Sequence, residues 1–279
     1  MQASGNDYVF VDHTEFQPFE NYAEVAESVA IRRLSIGSDG LVVLLPSKNA
    51  TVKMRIFNAD GSEGKTCGNA LRCIGKYLYE RRLKKEKAFT VETLSGVKTL
   101  RILDGAAEVL VCVDMGAASF SPESVPVLSE SAVVSRPYTV GESTLYMTCV
   151  SVGNPHAVFI VDDFNGLDID GIGKLVESDG LFPDKTNVEF VRVLNSREIA
   201  VKVWERGSGR TLACGSGACA SVAACAINGV IDRLLPIKVN LEGGCVVVRT
   251  DEDYRLKLEG GAKFVFEGEY EYFKDKRLF

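Results

Sequence analysis

Histidine and tryptophan are nearly absent: the 279 residues hold two His, His13 and His156, and a single Trp, Trp204. Two imidazoles cannot build a multi-His metal site. No C-x-x-C spacing occurs among the eight Cys, so neither a paired-hook zinc site nor a thioredoxin-type redox pair is signalled. With a net charge of −6, the broad basic footprint that nucleic acid or anionic lipid would need is missing too. Apolar runs are short, and the longest obvious one, Leu41 to Leu45, is far below a bilayer's span. The residues Met1 to Asp7 are polar and lack the cationic-then-apolar pattern of a signal peptide. These absences predict a cytoplasmic chain with free thiols, no nucleic-acid partner and no membrane partner.

What is present reads as a globular protein. Hydrophobic residues make up 46% and charged residues 25%, close to the soluble average. The length suits two domains of ordinary size. Short β-branched runs bounded by Gly, Asn, Asp or Pro predict strands at Tyr8–Val11, Leu41–Leu45, Val52–Phe57, Val109–Val113, Ala157–Val161, Val188–Val193, Ile199–Trp204, Val239–Leu241 and Val246–Arg249. Apolar spacing predicts helices over Asn21–Leu34, Cys67–Leu83 and Cys214–Asn228. The last, rich in Ala, Ser and Cys, has so little polarity that it should lie buried within a domain.

An internal repeat organises the chain. Gly5-Asn6 recurs as Gly153-Asn154, and Cys67-Gly68 recurs as Cys214-Gly215, at nearly the same offset. Asn58 and Glu205 each stand nine residues ahead of those cysteines, after similar strand-like runs. Agreement of several offsets predicts two equivalent halves, 1–116 and 117–261; in the C-terminal segment 262–279, the run Lys263–Phe266 is expected to return to the first half as a strand. Two such halves would face each other across a cleft, bringing one Cys-Gly segment from each to a common site.

Both cysteines are predicted to open helices. A helix start offers unpaired N–H groups and the positive end of the macrodipole. Those groups are expected to lower the thiol pKa and to hold a substrate carboxylate. Two thiols facing one another across a carboxylate cradle suit inversion at the Cα of an amino acid. One thiolate removes the proton, and the opposite thiol delivers one to the other face. Cys112, Cys149, Cys225 and Cys245 read as small buried hydrophobes, and Cys73 and Cys219 as core positions inside the helices.

These residues carry a family resemblance. The stretches Gly5-Asn6-Asp7, Asn58 to Glu63, Cys67 to Cys73, Gly153-Asn154-Pro155-His156, Thr186 to Phe190, Glu205-Arg206-Gly207 and Cys214 to Cys219 resemble, in order, those of the diaminopimelate epimerases. The resemblance implies an α+β fold of two similar domains related by a pseudo-twofold axis. Each would be a β-barrel-like sheet around a central helix. It implies cofactor-independent interconversion of LL- and meso-diaminopimelate in the biosynthesis of lysine and peptidoglycan, with no metal. A racemase of histidine, lysine or proline type on the same scaffold is the alternative. By the same resemblance, Cys67 and Cys214 are the acid/base thiols, and His156 and Glu205 tune them. Gly68, Asn69, Gly215 and Ser216 cradle the α-carboxylate. Asn6, Asn58, Asn154, Asn187, Glu205 and Arg206 hold the substrate. A homodimer is also an expectation of the resemblance, with Phe266 where relatives often carry a Tyr. Gly40 stands where some members carry a substrate-touching Gln and is assigned no role.

Overall fold

A computed structural model describes residues 1–83, 86–103, 108–141 and 143–272. The first half opens with strands β1 (Gln2–Ala3), β2 (Asn6–Asp7) and β3 (Val9–Asp12). Helix α1 (Tyr22–Ala30) follows, then β4 (Gly40–Leu45), β5 (Val52–Asn58) and β6 (Glu63–Gly64). Helix α2 (Gly68–Tyr77) precedes β7 (Ala88–Thr93), β8 (Gly96–Leu103) and β9 (Leu110–Ala117). The second half holds β10 (Arg136–Val140), β11 (Ser143–Ser151), β12 (Pro155–Ile160), α3 (Ile169–Glu177), β13 (Asn187–Asn195), β14 (Glu198–Glu205) and β15 (Gly209–Thr211). It closes with α4 (Gly215–Ile227), β16 (Ile237–Leu241), β17 (Gly244–Thr250) and β18 (Arg255–Gly261).

The pairing pattern occurs twice. In the first half β3 runs parallel to β4, β4 antiparallel to β5, β5 parallel to β7, and β7, β8 and β9 form a meander. In the second half β12, β13, β14, β16, β17 and β18 repeat those senses in the same order. The short strands β6 and β15 hang on equivalent edges. β9 and β18 pair antiparallel and fuse both halves into one mixed sheet. The fold is α+β.

Each half wraps its sheet around one helix. α4 carries only small side chains and Val222 until Ile227 at its end, and nearly all of them are buried. Small residues let strands approach from all sides, which a helix with an ordinary polar face would not permit. α2 uses the same device at Gly75, where a Cβ would meet Val111 Cγ1 at 2.7 Å.

Local corrections have local causes. α1 ends at Ala30 rather than Leu34, because Ile31 turns extended and Leu34 points to solvent. α2 loosens after Tyr77 into a turn of π-helix, Leu78–Arg82. Helix α3, capped by Asp168 accepting from the Gly171 N–H, went unpredicted although Ile169, Ile172 and Val176 keep a helical period, because two glycines in nine residues lower its helix propensity. Cys245 is exposed, not buried. Along β17 the pleat sends Val246 and Val248 inward and Cys245 outward. Lys263–Phe266 is not a strand. Lys263 makes a single bridge with Gln2, and the two-residue β1 offers no longer ladder. Beyond it the tail crosses the first half through Arg81–Glu267, Tyr270–Ser28 and Tyr272–Glu24 contacts. Residues 273–279 of the expected returning segment lie outside the described residues.

Candidate active site

The two halves meet at the starts of α2 and α4. Cys67 is the N-cap of α2, and Cys214 is the N-cap of α4. Both border one cleft of about 1400 Å³. Asn6, Asn58, Gly68, Asn69, Asn154, Glu205, Arg206, Gly215 and Ser216 line it as well. The cleft therefore gathers most of the residues singled out in the sequence. The two Gly-Asn turns are equivalent in detail: Gly5 and Gly153 have φ of 89° and 88°. Only glycine adopts this conformation freely, and it swings Asn6 and Asn154 toward the cleft.

His156 and Asn187 do not line the cleft. Asn187 is buried and spends both ends of its amide internally. Its Nδ2 donates to the Pro155 carbonyl at 2.8 Å, and its Oδ1 accepts from the Arg206 N–H at 2.9 Å. It ties the turn carrying Asn154 to the turn carrying Arg206. His156 is wholly buried behind Asn154, with Nε2 3.1 Å from Asn154 Oδ1. The Arg206 guanidinium donates to the Asp184 carbonyl at 2.8 Å.

The cysteine environments differ. The Cys214 sulfur accepts from the Gly217 N–H at 3.3 Å and lies 3.4 Å from Ser216 Oγ. Burial, then Glu205 and Glu189, push this thiol well above its ordinary range. Cys67 lies 3.7 Å from the Tyr8 hydroxyl. Burial pushes it up as well, while the Ala70 N–H and the Tyr8 hydroxyl pull it down. The helix starts were expected to lower both values. The outcome is the reverse, because desolvation of a buried thiolate outweighs the N–H groups that face it. Burial also raises Glu205, against the pull of Thr211, which donates to its Oε1.

Three contributors escaped the sequence reading. Tyr8 stands at the repeat equivalent of His156, and the offset linking Asn6 to Asn154 could have revealed it. Arg72 is buried on α2 and donates to Asn69 Oδ1, Ser4 Oγ and the Gly261 carbonyl. It thereby fixes Asn69, whose Nδ2 reaches the Ala213 carbonyl of the other half at 3.3 Å. Glu189 is fully buried against His156, with Oε1 2.7 Å from Nδ1. Arg72 and Glu189 lie within the matched motifs, but nothing local marked their roles, since burial of a charge is decided by the strands that pack on it.

A family model described as diaminopimelate epimerase matches residues 1–121 and 148–265. The diaminopimelate epimerase of Geobacillus kaustophilus is 45% identical over 276 residues, covering 98% of this chain and 95% of its own. That of Desulfovibrio desulfuricans is 44% identical over 279 residues, covering 97% and 96%. Among solved structures, a probable proline racemase from Agrobacterium radiobacter superimposes with a TM-score of 0.70 at 16% identity, covering 99% of this chain and 92% of that one. A phenazine biosynthesis protein of the PhzF family from Bacillus anthracis gives 0.68 at 17% identity, covering 98% and 95%. At such identities the structural likeness speaks for the fold alone.

Proposed function

The chain belongs to the diaminopimelate epimerase family, and on that premise we propose how its cleft performs the reaction. The enzyme is an isomerase that interconverts LL- and meso-diaminopimelate. The observation that carries the mechanism is the convergence of two cysteine-capped helices, one from each repeat, on a single cleft.

The substrate α-carboxylate sits between the starts of α2 and α4, against the backbone N–H groups at Gly68, Asn69, Gly215 and Ser216. There the helix dipoles and N–H groups offset the negative charge that grows as Cα loses its proton. Cys67 and Cys214 flank Cα from opposite faces. One accepts the α-proton as thiolate, and the other, as thiol, returns a proton to the opposite face. The raised thiol values fit this task. A thiolate formed from a weakly acidic thiol is a strong base, matched to a weakly acidic C–H. Asn6, Asn58, Asn154, Glu205 and Arg206 receive the distal amino-acid end, which needs neutral amide partners and one guanidinium fork. Asn187 and His156 act from behind by holding those groups.

The units 1–116 and 117–261 are the working halves, with the tail from 262 strapped to the first. A reducing cytoplasm keeps both thiols free. A homodimer completes this reading; the exposed Val265 and Phe266 are apolar side chains of the kind a subunit contact covers. A racemase acting on another amino acid is the second reading, and the amide-lined distal end of the cleft favours diaminopimelate over a substrate without a distal polar group.

The test is incubation of the reduced protein with LL-diaminopimelate in deuterated water. Epimerisation with α-deuterium incorporation is expected, and Cys67→Ala or Cys214→Ala should abolish it. Exchange with a different amino acid and none with diaminopimelate overturns the substrate. Full activity in either alanine variant overturns the two-thiol mechanism.

A further inference from the structure

Behind Cys214 a line of hydrogen-bonded side chains runs from the cleft into the core. Ser216 Oγ lies 3.4 Å from the Cys214 sulfur. Asn154 Nδ2 donates to Ser216 Oγ at 3.3 Å. His156 Nε2 is 3.1 Å from Asn154 Oδ1, and His156 Nδ1 is 2.7 Å from Glu189 Oε1. His156 and Glu189 are both fully buried on the neighbouring strands β12 and β13.

The donors in this line follow from the orientation of the Asn154 amide, whose Nδ2 is on Ser216 and Oδ1 on His156. Asn154 Oδ1 only accepts, so His156 Nε2 carries a hydrogen. The short Nδ1–Oε1 contact holds one more proton between ring and carboxyl. Because Asn154 gives its N–H to Ser216 Oγ, the Ser216 hydroxyl hydrogen is free to point at sulfur. Remove the carboxyl and the ring can turn its single hydrogen to Nδ1. Asn154 must then flip, and Ser216 donates to Asn154 instead of to sulfur.

The fold itself does not demand the buried pair. In the other half the same sheet positions hold Tyr8 and Val42: Phe10 stands opposite Val42 as Val158 stands opposite Glu189. Val42 is buried and apolar, and the Tyr8 hydroxyl touches Cys67 directly. A carboxylate costs much to bury, and its twin position does without one. Its other oxygen, Oε2, has no hydrogen-bond partner among the described residues.

We propose that Glu189 is a positioning residue for Cys214, acting through His156, Asn154 and Ser216 to keep a hydroxyl donor on the sulfur. It rests on the assignment of Cys214 as an acid/base thiol. Other charged groups facing Cys214 are Glu205 and the His156–Glu189 pair itself.

Alkylation by iodoacetamide, resolved peptide by peptide in the substrate-free reduced protein across the neutral-to-alkaline range, reads the thiolate fraction of each cysteine. Glu189→Met removes a nearby like charge, which alone would favour the thiolate, but loss of one donor to the charged sulfur should outweigh it, slowing Cys214 alkylation about tenfold at fixed pH and raising its midpoint. Cys67 in the same tube should be unchanged. Glu189→Gln can donate its amide to Nδ1 and leave the Nε2 hydrogen in place, so it should stay within about threefold of wild type. If Glu189 were merely a like charge, both variants would alkylate Cys214 faster; that result, or an unchanged Cys214 in Glu189→Met, overturns the proposal. Should Glu189→Met fail to fold, Asn154→Ala carries the same test: slowing at Cys214 alone supports the line, and an unchanged rate overturns it. The assay uses no diaminopimelate. A protein that passes here and fails to exchange diaminopimelate overturns the substrate reading only.

Discussion

A Cβ built on Gly215 would lie 3.5 Å from the Cα of Gly68. The two helix starts are thus nearly in contact across the seam, although 147 residues separate them in sequence. Leu258 of β18 sits beneath both, 3.1 Å from a Cβ at either glycine.

A methyl group at either start should therefore harm turnover more than stability. Gly68→Ala and Gly215→Ala are expected to fold at a cost of about 1 kcal/mol, while kcat/KM falls at least tenfold, roughly the effect of displacing a substrate by an ångström. Leu258→Val should restore Tm and leave kcat/KM low. Wild-type kcat/KM in Gly215→Ala would remove the carboxylate from this place.

Gly217 gives a packing test of Glu189. A Cβ there would fall 2.6 Å from Glu189 Oε1, and the carboxyl, buried against His156, has little room to yield. Gly217→Ala should lower Tm, and the loss should shrink by about 1 kcal/mol in a Glu189→Ala background. Additive losses would show that the two do not touch.

Tyr8→Phe isolates the other thiol. Its hydroxyl helps hold a thiolate at Cys67. Its removal should slow Cys67 alkylation several-fold at fixed pH and leave Cys214 untouched. Equal slowing at both cysteines would point to a general loosening of the cleft.

Alkaline stability should report the structural thiols. Burial pushes Cys73, Cys149, Cys219 and Cys225 from an ordinary value near 9 up to about 12. Between those values the unfolded chain loses protons that the folded one keeps. Their contribution is intact below pH about 9 and declines as pH rises toward about 12, by about 1.4 kcal/mol per pH unit for each thiol. Denaturant titrations of Cys149→Ala should show a shallower alkaline slope than wild type by one proton. An unchanged slope would mean that Cys149 keeps no raised value.

The contrast between thiol groups marks where sequence stopped being sufficient. The equal offsets, the cysteines placed at helix starts and the Asn-rich turns are local and periodic. They were enough to foresee the repeat and, through the family resemblance they carry, the α+β fold; of the site residues they singled out, all but His156 and Asn187 line the cleft. The sign of the thiol shifts was not legible, because it depends on how much water the opposite half excludes. Nor was the role of Asn187, whose amide is consumed by Pro155 and Arg206, or the exposure of Cys245, which hangs on strand register. Glu189 lay in plain sight within a quoted motif, yet only the pairing of β12 with β13 sets it on His156. Residue type and spacing along the chain determined which chemistry is available to this protein. Desolvation and hydrogen-bond direction decided how it is tuned, since both arise where segments apart in sequence pack against one another, as β12 does on β13 and one half does on the other.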